Sequence, residues 1–193
     1  MRVQAHREAA ALRRYPQQGL KPAAAIAALL VLGWALAGCT KSGPPKPCPR
    51  VGVLDDAQRL VRFNPGGGRD LTDIRFEAEI GVRSGRCEYT SRDSQLEVEM
   101  AVEIQAVRAP NAGKQGEFEY FVAITDRSQR ILAKQVFTAV IPFETDRRAA
   151  GALEELVETI PLKPGQLGNE FEIVVGFQLS PDELAYNRQL RRR

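Results

Sequence analysis

The chain has 193 residues, of which 44% are hydrophobic, and its 27 basic and 24 acidic residues give a formal net charge of +3. Five of the basic residues and one of the acidic residues lie in residues 1–38, so the rest of the chain carries 22 and 23. This balance gives no reason to expect a nucleic acid partner or binding to a bulk anionic surface. The remaining part is long enough for one hydrophobic core and too short for two.

A basic region and a short apolar segment open the chain. Five basic residues precede an apolar run over residues 23–37, which is about 15 residues long. A transmembrane helix needs roughly 20 such residues, so this length favours the hydrophobic region of a secretory signal. We therefore expect residues 1–38 to be a signal peptide that takes no part in the fold.

The apolar run ends in the motif Leu36-Ala37-Gly38-Cys39. This motif resembles the lipobox of bacterial lipoproteins, and the resemblance implies that the Cys39 thiol is acylated and that Cys39 becomes the new N-terminus. An uncleaved membrane anchor with a chance cysteine is the alternative, and it would also leave the domain outside the cytoplasm. Thr40 follows the cysteine where aspartate would retain a lipoprotein at the inner membrane, so the resemblance implies the outer membrane, with the domain facing the periplasm.

A proline-rich segment, residues 39–50, comes next. Prolines lack a backbone donor and favour an extended chain, so we interpret this segment as a lipidated tether. Acylation of Cys39 would leave two cysteines, Cys48 and Cys87, and these should pair in an oxidising compartment. The alternative, a reactive thiol pair, lacks the close spacing of oxidoreductase motifs.

Residues 51–193 are predicted to form one β-sandwich domain with a C-terminal helix. Apolar and polar residues alternate through most of it, which predicts strands with one buried face. Turns are expected at residues 83–86, 126–129 and 163–165, where polar residues, glycine or proline cluster. The segment 153–160 fits either a helix or a strand, and we favour a strand that ends at Pro161. The predicted strands are residues 74–82, 96–106, 120–125, 131–140, 153–161 and 171–179.

The motif Ser180-Pro181-Asp182-Glu183 predicts the start of a helix that ends near Arg191. Serine is the cap, proline takes the first helical position, and Glu183 completes a capping box. Six or seven strands without alternating helices, followed by one late helix, predict an all-β antiparallel sandwich. Its architecture resembles immunoglobulin and fibronectin type III domains, a likeness that carries no function.

The sequence offers few groups for catalysis. The single histidine, His6, lies in the predicted signal peptide, so we predict no catalytic residue, no metal site and no cofactor. Carboxylate pairs remain the alternative, because glycoside hydrolysis needs only two acids and acidic stripes can bind calcium. The strand glutamates alternate with apolar residues, however, which is typical of a solvated sheet face; they are Glu77, Glu79, Glu97, Glu99 and Glu103.

The part after the signal peptide also resembles uncharacterised envelope lipoproteins of alphaproteobacteria, through residues 120–124, 133–137 and 176–188. The resemblance implies the compartment and the type of domain and adds no chemistry. We predict a non-enzymatic interaction or structural module, anchored to the membrane by its lipid. Its sheet edge or terminal helix should bind another envelope protein of unknown identity. The alternative is a carboxylate-dependent hydrolase or carbohydrate-binding domain in the periplasm.

Overall fold

Eight β-strands and one α-helix make up the described part of the chain, residues 44–192 of a computed structural model. The predicted signal peptide, the lipidation site Cys39 and the first residues of the predicted tether lie outside the described residues. The strands are β1 (Arg50–Val53), β2 (Arg59–Phe63), β3 (Ile74–Thr90), β4 (Gln95–Arg108), β5 (Gln115–Asp126), β6 (Ile131–Pro142), β7 (Ala149–Pro161) and β8 (Phe171–Phe177), and the helix, α1, is Pro181–Leu190.

The strands form two four-stranded sheets, with the orders β1-β8-β5-β6 and β2-β3-β4-β7. All neighbours are antiparallel except β1 and β8, which are parallel. The pairs β4 with β7 and β5 with β8 match the pairing of strands B with E and C with F in immunoglobulin-like sandwiches. β1 takes the place of their last strand, G. The predicted all-β sandwich with a short C-terminal helix is therefore confirmed.

Alternation of side chains along the strands builds the core. The residues of β4 and of the first half of β5 that point between the sheets are buried, whereas their neighbours are mostly exposed or partly buried; from Val122 to Thr125 both faces of β5 are buried. The largest fully buried side chains come from both sheets, so the core lies between them. They include Leu60, Ile80, Leu96, Ile104, Phe118, Tyr120, Ile141, Ile173 and Phe177.

The turn predicted at residues 83–86 is wrong. β3 continues through this segment and pairs with β4 from Phe76 to Thr90. The register shifts between Val82 and Ser84, so Arg83 is an extra residue in a β-bulge, which accommodates polar residues without reversing the chain. The reversal comes later, at Ser91–Asp93, where three successive residues have φ angles of 50°, 57° and 66°.

The other long elements follow the predictions. The hairpin of β5 and β6, the ambiguous segment that forms β7, and β8 are all strands. α1 has the expected capping box: the Ser180 hydroxyl accepts from the Glu183 backbone N–H at 3.3 Å, and the Glu183 carboxylate accepts from the Ser180 N–H at 2.8 Å. Two strands, β1 and β2, were not predicted, because four and five residues are too few for a clear alternation.

Candidate functional site

The segment before β1 is fastened to one end of the sandwich. Cys48 and Cys87 form the predicted disulfide, with their Cα atoms 5.8 Å apart. The Tyr89 hydroxyl donates to the Pro47 carbonyl at 2.6 Å and accepts from the Gly168 backbone N–H at 2.7 Å. Residues 47–50 of the predicted tether therefore belong structurally to the folded domain.

The predicted acidic stripe lies on the outer face of the β2-β3-β4-β7 sheet. Glu99 accepts from Arg86 at 2.6 Å, and this hydrogen bond lowers the pKa of Glu99. Glu103 pairs with Arg83 at 3.1 Å. Within residues 44–192, no group of three or more histidine, cysteine, aspartate and glutamate side chains is placed to hold a metal ion. Glu99 and Glu103 are thus ion-paired, and the strand glutamates lie along the open outer face of this sheet.

Helix α1 covers one side of the sandwich, next to β2. The Asn187 amide donates to the backbone carbonyls of Asp56 at 3.0 Å and Arg59 at 2.6 Å. Tyr186 packs edge-to-face on Phe63, with ring centroids 5.2 Å apart. One face of the terminal helix, which is one of the two predicted binding surfaces, is thus occupied by contacts within the fold.

The same helix has only ten residues. Among residues 44–192 no helix combines the length and the apolar composition that crossing a membrane would require.

The opposite side of the sandwich is formed by β6 and β7, the last strands of their sheets. The backbone hydrogen bonds show which groups of β6 are free. Phe143 N donates to Lys114 O at 2.8 Å, and hydrogen-bonded pairs alternate along an antiparallel ladder. Odd-numbered residues of β6 therefore bind β5, and even-numbered ones direct their N–H and C=O groups away from it. The outward set is Lys134, Val136, Thr138 and Val140; Leu132 is the unpaired residue of a bulge between Ile131 and Ala133.

Pro142 fits this assignment. It has no N–H group and occupies an even-numbered position at the end of β6, where a donor would have pointed to solvent. The side chains of the outward set are also exposed, with relative accessibilities of 49% for Val136 and 50% for Val140. Within residues 44–192 no further strand pairs with this edge.

Charged side chains on β7 disfavour the pairing of a further strand with its edge. Glu154 and Glu158 alternate with Leu156 on the side of β7 that faces the sandwich interior, and both are half-buried. Burial raises the pKa of Glu158, and burial together with nearby Glu154 raises the pKa of Tyr120 to about 12. Inward-pointing charges at a sheet edge discourage pairing with a further strand.

β6 lacks such protection beyond Lys134. From residue 135 to residue 141 it carries no charge and is rich in β-branched and aromatic residues. A long edge of this composition is a template for the addition of another strand. A binding sheet edge was predicted without the strand that forms it. The uncharged run is visible in the sequence, but its place at an edge depends on the strand order.

Replacing Glu158 with glutamine should stabilise the protein near neutral pH. A carboxyl group whose pKa is raised in the folded state favours folding below its unfolded pKa and loses that contribution as pH rises through the folded pKa. Glu158→Gln should therefore raise the free energy of unfolding at about pH 7 and have little effect at about pH 4. Urea titrations at both pH values test this, with exposed Glu155→Gln as the control that should show no such difference.

Comparisons with known proteins add no family. No family model matches the chain, and no curated protein matches it. One solved structure, the Streptococcus agalactiae AgI/II polypeptide BspA variable (V) domain, aligns with 75% of this chain and 93% of its own length, at 9% identity and a TM-score of 0.19. At this TM-score the likeness carries no conclusion about fold or function.

Proposed function

We propose that this protein is a lipid-anchored component of the bacterial cell envelope, held at the periplasmic face of the outer membrane, and that its sandwich is a non-enzymatic interaction module. The Leu36-Ala37-Gly38-Cys39 motif supports the anchor. The Cys48–Cys87 bridge suits an oxidising compartment. The observation that carries the interaction role is the uncovered, uncharged edge of β6.

The β6 edge offers backbone groups that bind without any catalytic chemistry. An extended strand laid along it would hydrogen-bond to the free N–H and C=O groups of Lys134, Val136, Thr138 and Val140. The exposed side chains of the same residues would decide which strand fits. β7 and α1 are less suited, because β7 carries inward glutamates and α1 is engaged with β2 and the β1–β2 connection.

A photocrosslinking amino acid placed at Val136 tests the interaction role in cells that express the full chain. Crosslinked adducts should form from Val136. The same amino acid at Val107, which is also an exposed valine but lies on the outer face of β4, is the matched control and should form none. Absence of adducts from Val136, or equal adducts from both sites, would remove the β6 edge as the binding surface.

Thr138→Pro should abolish those adducts without unfolding the domain. The Thr138 N–H points away from β5, so proline removes a free donor and obstructs the edge while leaving the ladder with β5 intact. Thr159→Pro is the control. Leu162 N donates to Ser94 O at 2.9 Å, so the even-numbered residues of β7 bind β4 and the N–H of Thr159 points away from β4. We expect Thr159→Pro to retain the adducts. Persistence of the adducts in the Thr138→Pro variant would argue against strand addition.

A further inference from the structure

The free edge of β6 is close to self-complementary. Its outward residues, in chain order, alternate between apolar and polar and read nearly the same in both directions. Such symmetry is what an antiparallel pairing between two identical strands requires, because residue i of one copy then faces residue j of the other and j faces i. The residues are Lys134, Val136, Thr138 and Val140, preceded by Leu132 at the bulge.

We infer that the strand which occupies this edge is β6 of a second copy of the same chain, antiparallel, with Val136 opposite Val136. This inference rests on the proposed role of the β6 edge and names its partner. In this register Lys134 lies opposite Thr138 of the second copy, and Leu132 lies opposite Val140. Apolar residues therefore meet apolar residues, and polar residues meet polar ones.

Neighbouring registers fit less well. A shift of two residues in either direction places Lys134 opposite Val136 or Val140, so that a charge faces an apolar side chain. A shift of four residues places Lys134 opposite Lys134 of the second copy, or opposite Pro142, which has no N–H group to donate. The register centred on Val136 is thus favoured by charge, by polarity and by backbone bonding.

On the opposite face of the paired strands, Ala133 would lie opposite Ala139 of the second copy, Ile131 opposite Ile141 and Gln135 opposite Phe137. The two sheets would merge into one sheet of eight strands, with about six new backbone hydrogen bonds in the Val136–Val136 pair and the two Lys134–Thr138 pairs. The glutamates of β7 at positions 154, 155 and 158 oppose an equivalent pairing of β7 with its own copy, so the contact is confined to β6.

Cysteine crosslinking of the purified full chain in detergent tests the register. Cα atoms of a hydrogen-bonded antiparallel pair are about 5.5 Å apart, a separation that a disulfide spans. Val136→Cys alone should therefore give a covalent dimer under mild oxidation, because the residue faces itself. Thr138→Cys alone should remain monomeric, whereas Lys134→Cys with Thr138→Cys should crosslink. A monomeric Val136→Cys variant, or a Thr138→Cys variant that dimerises as readily, would overturn the inference.

A charge exchange at Thr138 tests the same pairing without cysteine. Within one chain the Lys134 ammonium donates to Gln178 Oε1 at 2.9 Å, and in the dimer its exposed side chain would have to turn toward the second copy. Thr138→Lys would then place a like charge opposite Lys134 at two places, and Thr138→Glu an opposite charge. We expect the first to raise the dimer dissociation constant about 2- to 30-fold and the second to lower it by a similar factor, measured by sedimentation. Within one chain Thr138 lies beside Glu119 on β5, so lysine should help the monomer fold. A weaker Thr138→Lys dimer is then not a folding defect.

These outcomes separate the inference from the proposed function. Photocrosslinked adducts from Val136 with the mass of another protein, together with a monomeric Val136→Cys variant, would overturn the second copy as partner and leave the edge as a binding surface. Adducts of twice the chain mass support both. No adducts at all would contradict both.

Discussion

Replacing Cys48 and Cys87 together with serine should lower the free energy of unfolding by about 4 kcal/mol. The bridge joins residues separated by 39 positions, and closing a loop of that length removes this much chain entropy from the unfolded state in the loop-entropy model. The loss is large beside the total stability of about 5–15 kcal/mol that is typical of a single domain. Urea unfolding of the purified variant and of the wild type measures it.

The contacts around the bridge indicate which part of the domain should lose stability first when the bridge is removed. The bridge holds the segment before β1 against β3, where Tyr89 binds both Pro47 and the Gly168 N–H. A β-carbon added at Gly168 would come within 2.5 Å of the Pro47 carbonyl, so the segment is packed closely there. Reduction of the wild type should reproduce the loss, and the double variant should not respond to reductant. A difference below about 1 kcal/mol would mean that the unfolded chain is little restricted by the bridge.

Replacing Cys39 with serine should leave a precursor that carries no lipid and is not cut before residue 39. Each buried methylene of an acyl chain contributes about 0.8 kcal/mol, so one chain is marginal and several chains hold a protein firmly. Without the thiol no chain can be attached, and the precursor should not be processed at this position. Intact mass spectrometry measures the effect, because the variant should lack the acyl mass and should keep residues 1–38. Cys48→Ser is the matched control: it should stay acylated and membrane-bound, and it should free the thiol of Cys87.

The parts of the fold that follow from local sequence were predictable. Strict alternation in β4 and β8 indicates one buried face whatever the partner strand is, and the Ser180–Glu183 capping box needs only neighbouring residues. The disulfide followed from counting cysteines after assigning Cys39 to the lipid. The glycine and polar residues near Arg83 misled the prediction, because a bulge and a turn draw on the same residue types.

The candidate site required information that the sequence does not contain locally. The uncharged run in β6 reads like any core strand, and it becomes an edge only because β5 is flanked by β8 on its other side. The inward direction of Glu154 and Glu158 depends on the register of β7 with β4. β1 was not predicted, because its four residues form a strand only by pairing with β8, which is more than a hundred residues away in the chain.

Intact mass spectrometry of the wild-type protein recovered from membranes tests the central claim, lipid anchoring in the envelope, most directly. We expect a mass equal to residues 39–193 with one internal disulfide, increased by the mass of the acyl groups on Cys39. Recovery of a soluble, unacylated protein cut at another position would contradict the claim.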